Sequence, residues 1–246
     1  MKIGIVGFGI LGQAIHEALR DTYELVIIDP PKGHFGDIED LNYFILCLPT
    51  PENEDGSCDT SLVEFYIKAL NGKKVLLKST VDPKVLLELA DEYDFTYSPE
   101  FLREASSKED FQHQEFAIFA GEDDVQWFET FEHAGVTMDK HIFTSIKIAV
   151  YAKYTINTFL ATKVAFFNEL YELMGDQKEY DELVTVVQGD SRIGKSHMQV
   201  PGPDGEKGFG GMCFPKDTKA FSHYAKSVGG STEILDQVIE TNEKIR

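Results

Sequence analysis

Two stretches of this sequence combine residue types and spacings that suit specific chemistry. Gly7-Phe8-Gly9-Ile10-Leu11-Gly12 follows an apolar run, Lys2–Val6, and opens a helical pattern. In a strand–turn–helix, Gly7 permits the tight turn, Gly9 lets a pyrophosphate approach the backbone, and Gly12 allows close helix–strand packing. The helix N-terminus then offers amide donors and partial positive charge to the anion. Asp29 closes the next apolar run, 22 residues beyond Gly7, where a carboxylate meets an adenosine ribose. That carboxylate favours NAD over NADP, whose 2′-phosphate it repels. The alternative is a glycine turn with an incidental Asp.

The second stretch is Gly208-Phe209-Gly210-Gly211-Met212-Cys213-Phe214-Pro215-Lys216-Asp217. It sets Cys213 just ahead of a helix in which Pro215 and Asp217 suit the first turn. A thiol beside a helix N-terminus, with Lys216 nearby, has a lowered pKa and is the better nucleophile. The alternative is a small packing residue. Cys47 lies in an apolar strand and Cys58 in a polar loop, so neither has that setting. Lys153 and Asn157, four apart on a long helix, share a face that can hold a hydroxyl or an oxyanion. A solvated lysine beside a helix asparagine is the plainer reading. Leu48-Pro49-Thr50-Pro51, Lys78-Ser79-Thr80-Val81 and Ser98-Pro99-Glu100-Phe101-Leu102-Arg103-Glu104 each follow a strand. In open α/β sheets ligands collect at such carboxyl ends.

The elements that must carry these residues alternate. Lys2–Val6, Leu25–Asp29, Tyr43–Leu48, Lys74–Lys78, Phe95–Ser98, Glu115–Ala120 and His141–Thr144 read as strands. Ile10–Arg20, Ser61–Leu70, Pro83–Tyr93 and Asp123–His133 read as helices. This alternation predicts an α/β fold with a Rossmann-like, mainly parallel sheet over residues 1–145. Residues 146–246 then form an all-helical domain. Its first helix runs from Ile146 to Met174 without Pro or Gly and ends at Gly175. Tyr180–Gln188 is a shorter helix, residues 190–212 form a loop with six glycines and two prolines, and two further helices follow. Only 13 residues, including Pro30, Pro31, Gly33 and Gly36, link Asp29 to Tyr43, close to the minimum for a crossover.

Composition narrows the functional classes. A 42% hydrophobic and 26% charged chain of 246 residues is an ordinary globular protein. The net charge of −19 repels phosphate backbones, so nucleic acid is not expected as a partner. Apolar runs such as Tyr43–Leu48 are too short for a bilayer, and the N-terminus shows no secretory signal. Three widely spaced cysteines make neither a disulfide framework nor a metal ligand set, which points to the cytoplasm.

In order along the chain, these motifs resemble the UDP-glucose/GDP-mannose dehydrogenase family. The resemblance also takes in Lys153 to Glu169, Asp190-Ser191-Arg192-Ile193-Gly194 and Thr218-Lys219, and it covers nearly all of the sequence. It implies NAD-dependent, four-electron oxidation of a nucleotide sugar's C6 alcohol to a carboxylate, most simply of the UDP-glucose 6-dehydrogenase type, making polysaccharide precursors. By the same resemblance Cys213 is the nucleophile, Lys153 and Asn157 bind substrate and the oxyanion, and Glu100 is the acid/base. Asp217 and Thr80 match residues that organise the catalytic water. Leu11, Thr50 and Thr80 match cofactor contacts, and Glu104 and Lys216 lie near the nicotinamide. Phe101, Leu102, Phe209 and Gly210 match substrate contacts. Arg192 matches an arginine that reaches a substrate in the neighbouring subunit, which implies a homodimer through the long helix.

Three departures accompany the resemblance, one being the short link from Asp29 to Tyr43, where the family has a longer excursion. The sequence stops at Arg246, where the family's second nucleotide-binding domain would begin, so a short form is expected. Asp204-Gly205-Glu206-Lys207 stands as an insertion in the sugar-binding loop. Two other readings stay open: a non-catalytic NAD-binding scaffold, and a two-electron hydroxyacid dehydrogenase, which would have no use for Cys213.

Overall fold

A computed structural model describes residues 1–103 and 106–246. The chain divides into two compact units, residues 1–51 with 58–153, and residues 52–57 with 154–246.

The first unit opens with β1 (Lys2–Val6), α1 (Ile10–Leu19) and β2 (Glu24–Asp29). A 3-10 turn over Pro30–Lys32 and the two-residue β3 (His34–Phe35) lead to β4 (Tyr43–Leu46), α2 (Ser61–Ala69), β5 (Lys74–Leu77), α3 (Pro83–Glu92) and β6 (Thr96–Tyr97). Then come α4 (Ser107–Gln112), β7 (His113–Gln114), β8 (Ala117–Gly121), α5 (Asp124–His133), β9 (Thr137–Met138) and β10 (His141–Thr144). Eight of these strands form one sheet in the order β10-β8-β6-β5-β4-β1-β2-β3. It is mainly parallel; β3 pairs antiparallel to β2, and β8 antiparallel to β6. The short link after Asp29 thus crosses over β1 without a helix, and its 3-10 turn and β3 take up the chain.

Alternation of strand and helix buries both sheet faces. Ile3, Ile5, Ile45 and Leu76 from the strands meet Ala14, Ile15 and Leu19 of α1, and Phe119 meets Trp127 and Phe131 of α5. One helix start is fixed by a side-chain cap. Asp82 accepts from Lys84 N and Val85 N ahead of Pro83 at the head of α3. α4, β7 and β9 were not foreseen, because two to six residues are too few to show a period.

The register positions the chemistry. Val6 pairs with Ile28 and with Leu46, Leu46 with Leu77, and Leu77 with Tyr97. The next residues of these five strands, Gly7, Asp29, Cys47, Lys78 and Ser98, therefore stand in one row at the carboxyl edge of the sheet.

The second unit is helical. α6 (Ile146–Met174) begins in the first unit and continues into the second, followed by α7 (Gln177–Val187), α8 (Phe214–Ser227) and α9 (Glu233–Ile245). Asp176 caps α7 by accepting from Glu179 N. One small core joins Ala161, Ala165, Phe209 and Val238, and another joins Phe167, Tyr180, Met198 and Val200. The Tyr180 hydroxyl donates to the carbonyls of Phe167 and Met198, tying α7 to α6 and the long loop. Among the described residues no helix is long and apolar enough to cross a membrane.

Candidate functional site

The first unit holds the glycine fingerprint. Gly7 has φ +91°, and a Cβ there would collide with the Cys47 carbonyl; a Cβ on Gly12 would collide with the Gly7 carbonyl. Both positions require glycine. Gly9 faces open space instead. The loop is pinned from β2, where one carboxylate oxygen of Asp29 accepts from Phe8 N at 2.7 Å. Lys32, in the link after β2, donates to the Phe8 carbonyl at 2.7 Å and lies 3.9 Å from Asp29. These features fit a dinucleotide: room over Gly9, a helix N-terminus with no side-chain cap, and a carboxylate at the end of β2. Leu11 packs against the core beside it. Thr50 and Thr80, from the loops after β4 and β5, are joined by a 2.7 Å bond from Thr50 Oγ1 to the Thr80 carbonyl. Glu104 lies outside the described residues.

Farther along the edge, Glu100 sits over a buried cation. Lys78, whose side chain is 2% exposed, places Nζ 3.1 Å from Glu100 Oε2 and donates to Ser98 Oγ. Glu100 Oε1 accepts from Phe101 N, and the Glu100 carbonyl accepts from Lys153 Nζ. Lys153 lies 4.9 Å above the Phe101 ring, which in turn packs on Phe116. Leu102 contributes to the core. Burial pushes the Cys47 thiol up to about 12, with Lys78 pulling it down and Glu100 adding to the rise. That setting disfavours the Cys47 thiolate.

The second unit holds the thiol. Cys213 is the exposed N-cap of α8, Pro215 lies in the first turn, and the Cys213 carbonyl accepts from Asp217 N at 2.8 Å. Asp217 is 1% exposed. Its Oδ2 accepts from Asn157 Nδ2 at 2.6 Å and its Oδ1 from Lys216 Nζ at 2.7 Å. Lys153 and Asn157, one turn apart on α6, thus serve different partners: Glu100 and Asp217. Cys58 proves buried, unlike the polar loop around it.

Residues 190–212 carry the remaining candidates. Arg192 is exposed and doubly bonded to Asp190, while Lys163 of α6 donates to the carbonyls of Ile193 and Gly194. Burial lowers the pKa of Lys163. Burial first, then Lys163, lowers that of His197, whose ring packs on Phe214. The inserted 204–207 segment is a tight turn, with Arg246 on Asp204 and Lys207 on Glu172. Phe209 is buried, and Arg246 covers Gly210. Sequence reasoning assigned no part to Lys32, Lys78, Asn168, Asn242 or Arg246. Asparagines inside helices α6 and α9, against their propensity, were the available signal.

Residues 34–133 match the NAD-binding domain of the UDP-glucose/GDP-mannose dehydrogenase family, and residues 147–244 match its central domain. The chain belongs to this family. As a member of the UDP-glucose/GDP-mannose dehydrogenase family it is 31% identical, over 93% of its length, to UDP-glucose 6-dehydrogenase TuaD of Bacillus subtilis, covering 53% of that protein. It is 29% identical, over 94% of its length, to UDP-glucose 6-dehydrogenase AglM of Haloferax volcanii, covering 60% of it. The fold superimposes with a TM-score of 0.81 on a UDP-glucose dehydrogenase from the archaeon Pyrobaculum islandicum, at 25% identity, covering 99% of this chain and 68% of that one. The chain spans little more than half the length of the curated relatives named here.

Proposed function

We propose that this chain is an NAD-dependent nucleotide-sugar dehydrogenase of the UDP-glucose 6-dehydrogenase type, taking a C6 alcohol to the uronic acid. The observation that carries the reading is the Asn157–Asp217–Lys216 network at the first turn of the helix that Cys213 caps. A two-electron hydroxyacid dehydrogenase has no need of that thiol, and a scaffold has no need of a buried polar network beside it.

NAD, when bound, supplies the hydride acceptor for both oxidations. Gly7, Gly9, Gly12, Leu11, Thr50 and Thr80 would hold it, Asp29 the adenosine ribose, with Glu104 and Lys216 toward the nicotinamide. Asp29 favours NAD over NADP through repulsion of a 2′-phosphate. Cys213 adds its sulfur to the C6 aldehyde, the thiohemiacetal carbon gives up its hydride in the second oxidation, and the sulfur carries the resulting acyl group until water cleaves the thioester, releasing acid and regenerating the thiol. Lys153 and Asn157 offer N–H donors to the oxyanion. Glu100 moves protons at the C6 oxygen, and Asp217 and Thr80 orient the water. Phe101, Leu102, Phe209 and Gly210 shape the sugar pocket. In this reading residues 1–145 serve the cofactor and 146–246 the substrate and the dimer, in a cytoplasmic setting.

The partner is a second copy. Ile148, Phe159, Phe166 and Leu173 are all exposed on α6, the last three at seven-residue spacing, so they line one stripe. Arg192 would then meet the partner's substrate. Sedimentation should show a dimer at micromolar concentration and a monomer for Phe166→Lys; a wild-type monomer sinks this part.

The whole reading is tested by NADH absorbance over UDP-glucose, other nucleotide sugars and the free sugar phosphates. One nucleotide sugar should yield NADH. Silence from all of them, with NAD binding intact, would leave the scaffold in its place.

A further inference from the structure

The backbone just ahead of Cys213 has no sheet to pair with, yet it is buried at Gly208 and Phe209. Buried peptide groups must find partners. Here the partners are two asparagine side chains from separate helices. Asn242 of α9 accepts from Phe209 N at 2.7 Å and donates from Nδ2 to the Phe209 carbonyl at 2.9 Å. It pairs with this residue as a neighbouring strand would. Asn168 of α6, 2% exposed, accepts from Gly208 N at 3.0 Å, and its own amide is fixed by donating to the Val164 carbonyl at 2.8 Å.

The fit admits one register. Gly208 has φ +71°, and a Cβ there would meet Asn242 Oδ1 at 2.5 Å; one on Gly210 would run into the Arg246 guanidinium. The Phe209 ring is locked between Ala161, Ala165 and Val238. Asparagine is a poor residue for a helix interior, so each is held there by what it binds.

We propose that Asn168 and Asn242 are positioning residues for the Cys213 thiol: they hold Gly208–Phe209, and through the run 210–212 they hold Cys213 at the N-cap of α8. The consequence for turnover rests on the reading of Cys213 as nucleophile; the effect on the thiol itself does not. A thiol kept at a helix N-terminus gains reactivity from the amide donors there, and one displaced from it loses that gain.

The test compares wild type, Asn242→Asp, Asn242→Leu and Asn168→Leu in the full chain. Asp keeps the acceptor for Phe209 N and loses the donor to its carbonyl; Leu loses both. Iodoacetamide alkylation of Cys213 is followed by mass spectrometry, with amide exchange at Gly208 and Phe209 and NAD affinity alongside. The expected order of alkylation rates is wild type, then Asn242→Asp, then Asn242→Leu, with the last at least threefold slower. Exchange should quicken in the same order, and NAD affinity should stay within twofold. If Asn242→Leu fails to fold, Asn242→Asp decides. Alkylation within twofold of wild type in folded variants, whatever the exchange, overturns the proposal. Failure of the dehydrogenase reading would show separately, as wild type producing no NADH while the alkylation order still holds.

Discussion

Asn157 and Asp217, sixty residues apart in sequence, share a buried hydrogen bond of 2.6 Å. It joins the long helix α6 to the first turn of α8, and with Lys216 it uses both oxygens of a carboxylate that is 1% exposed. Such a group is stable only while its partners remain.

Asp217→Ala should therefore destabilise by about 2–4 kcal/mol, since it removes the acceptor of the buried Asn157 amide. Asp217→Asn, which keeps the shape and one acceptor, should cost less than half as much. Urea unfolding of both variants decides, and equal losses would show that the carboxylate's bonds carry no weight.

Lys78 and Glu100 make a comparable pair at the sheet edge, 3.1 Å apart and with little exposure. Lys78→Met leaves the glutamate uncompensated and should cost about 3–5 kcal/mol. The double variant Lys78→Met, Glu100→Met should recover most of that loss. A double variant as unstable as the single one would show that packing, not charge, dominates this spot.

The elements that carry these groups were largely legible in the sequence, because their signals are local. Strand ends showed in apolar runs closed by Gly7, Asp29 or Lys78, and α6 showed in a stretch without Pro or Gly whose bounds are those observed. The pairings were not legible. Nothing in the spacing of Lys78 and Glu100, or of Asn242 and Phe209, announces that the fold brings them together. Likewise Cys58 lies in a polar stretch and is buried all the same, because tertiary packing overrides local composition. The antiparallel pairing of β8 with β6 comes after α4 and β7, both too short to show any period.

Cofactor choice should follow charge. Asp29 repels a 2′-phosphate, while Lys32, 3.9 Å away, offsets part of that repulsion. NAD should bind at least tenfold more tightly than NADP by calorimetry. Lys32→Ala should widen the gap and Asp29→Ser should narrow it. Equal affinities in the wild type would remove Asp29 from the role given to it.

Acid should loosen one identifiable contact. The hydrogen bonds from Arg103 hold the Asp110 carboxyl at about 2, below its ordinary value of 3.8. Because the folded value is the lower one, the stabilisation is full above about pH 4 and disappears as pH falls through 2. Arg103 is exposed, so solvent screening limits the gain to about 1 kcal/mol. Arg103→Ala should lie that far below wild type at pH 6 and converge with it near pH 2. A gap independent of pH would mean that the pair contributes through packing alone.

The central claim is that Cys213 carries the second oxidation, and the count of NADH per sugar tests it most directly. With the nucleotide sugar limiting, wild type should produce two NADH and one uronic acid per sugar consumed. Cys213→Ser should lose this overall reaction, because a serine hydroxyl is a far weaker nucleophile than a thiolate. One NADH per sugar, unchanged by Cys213→Ser, would contradict the account and favour the two-electron enzyme.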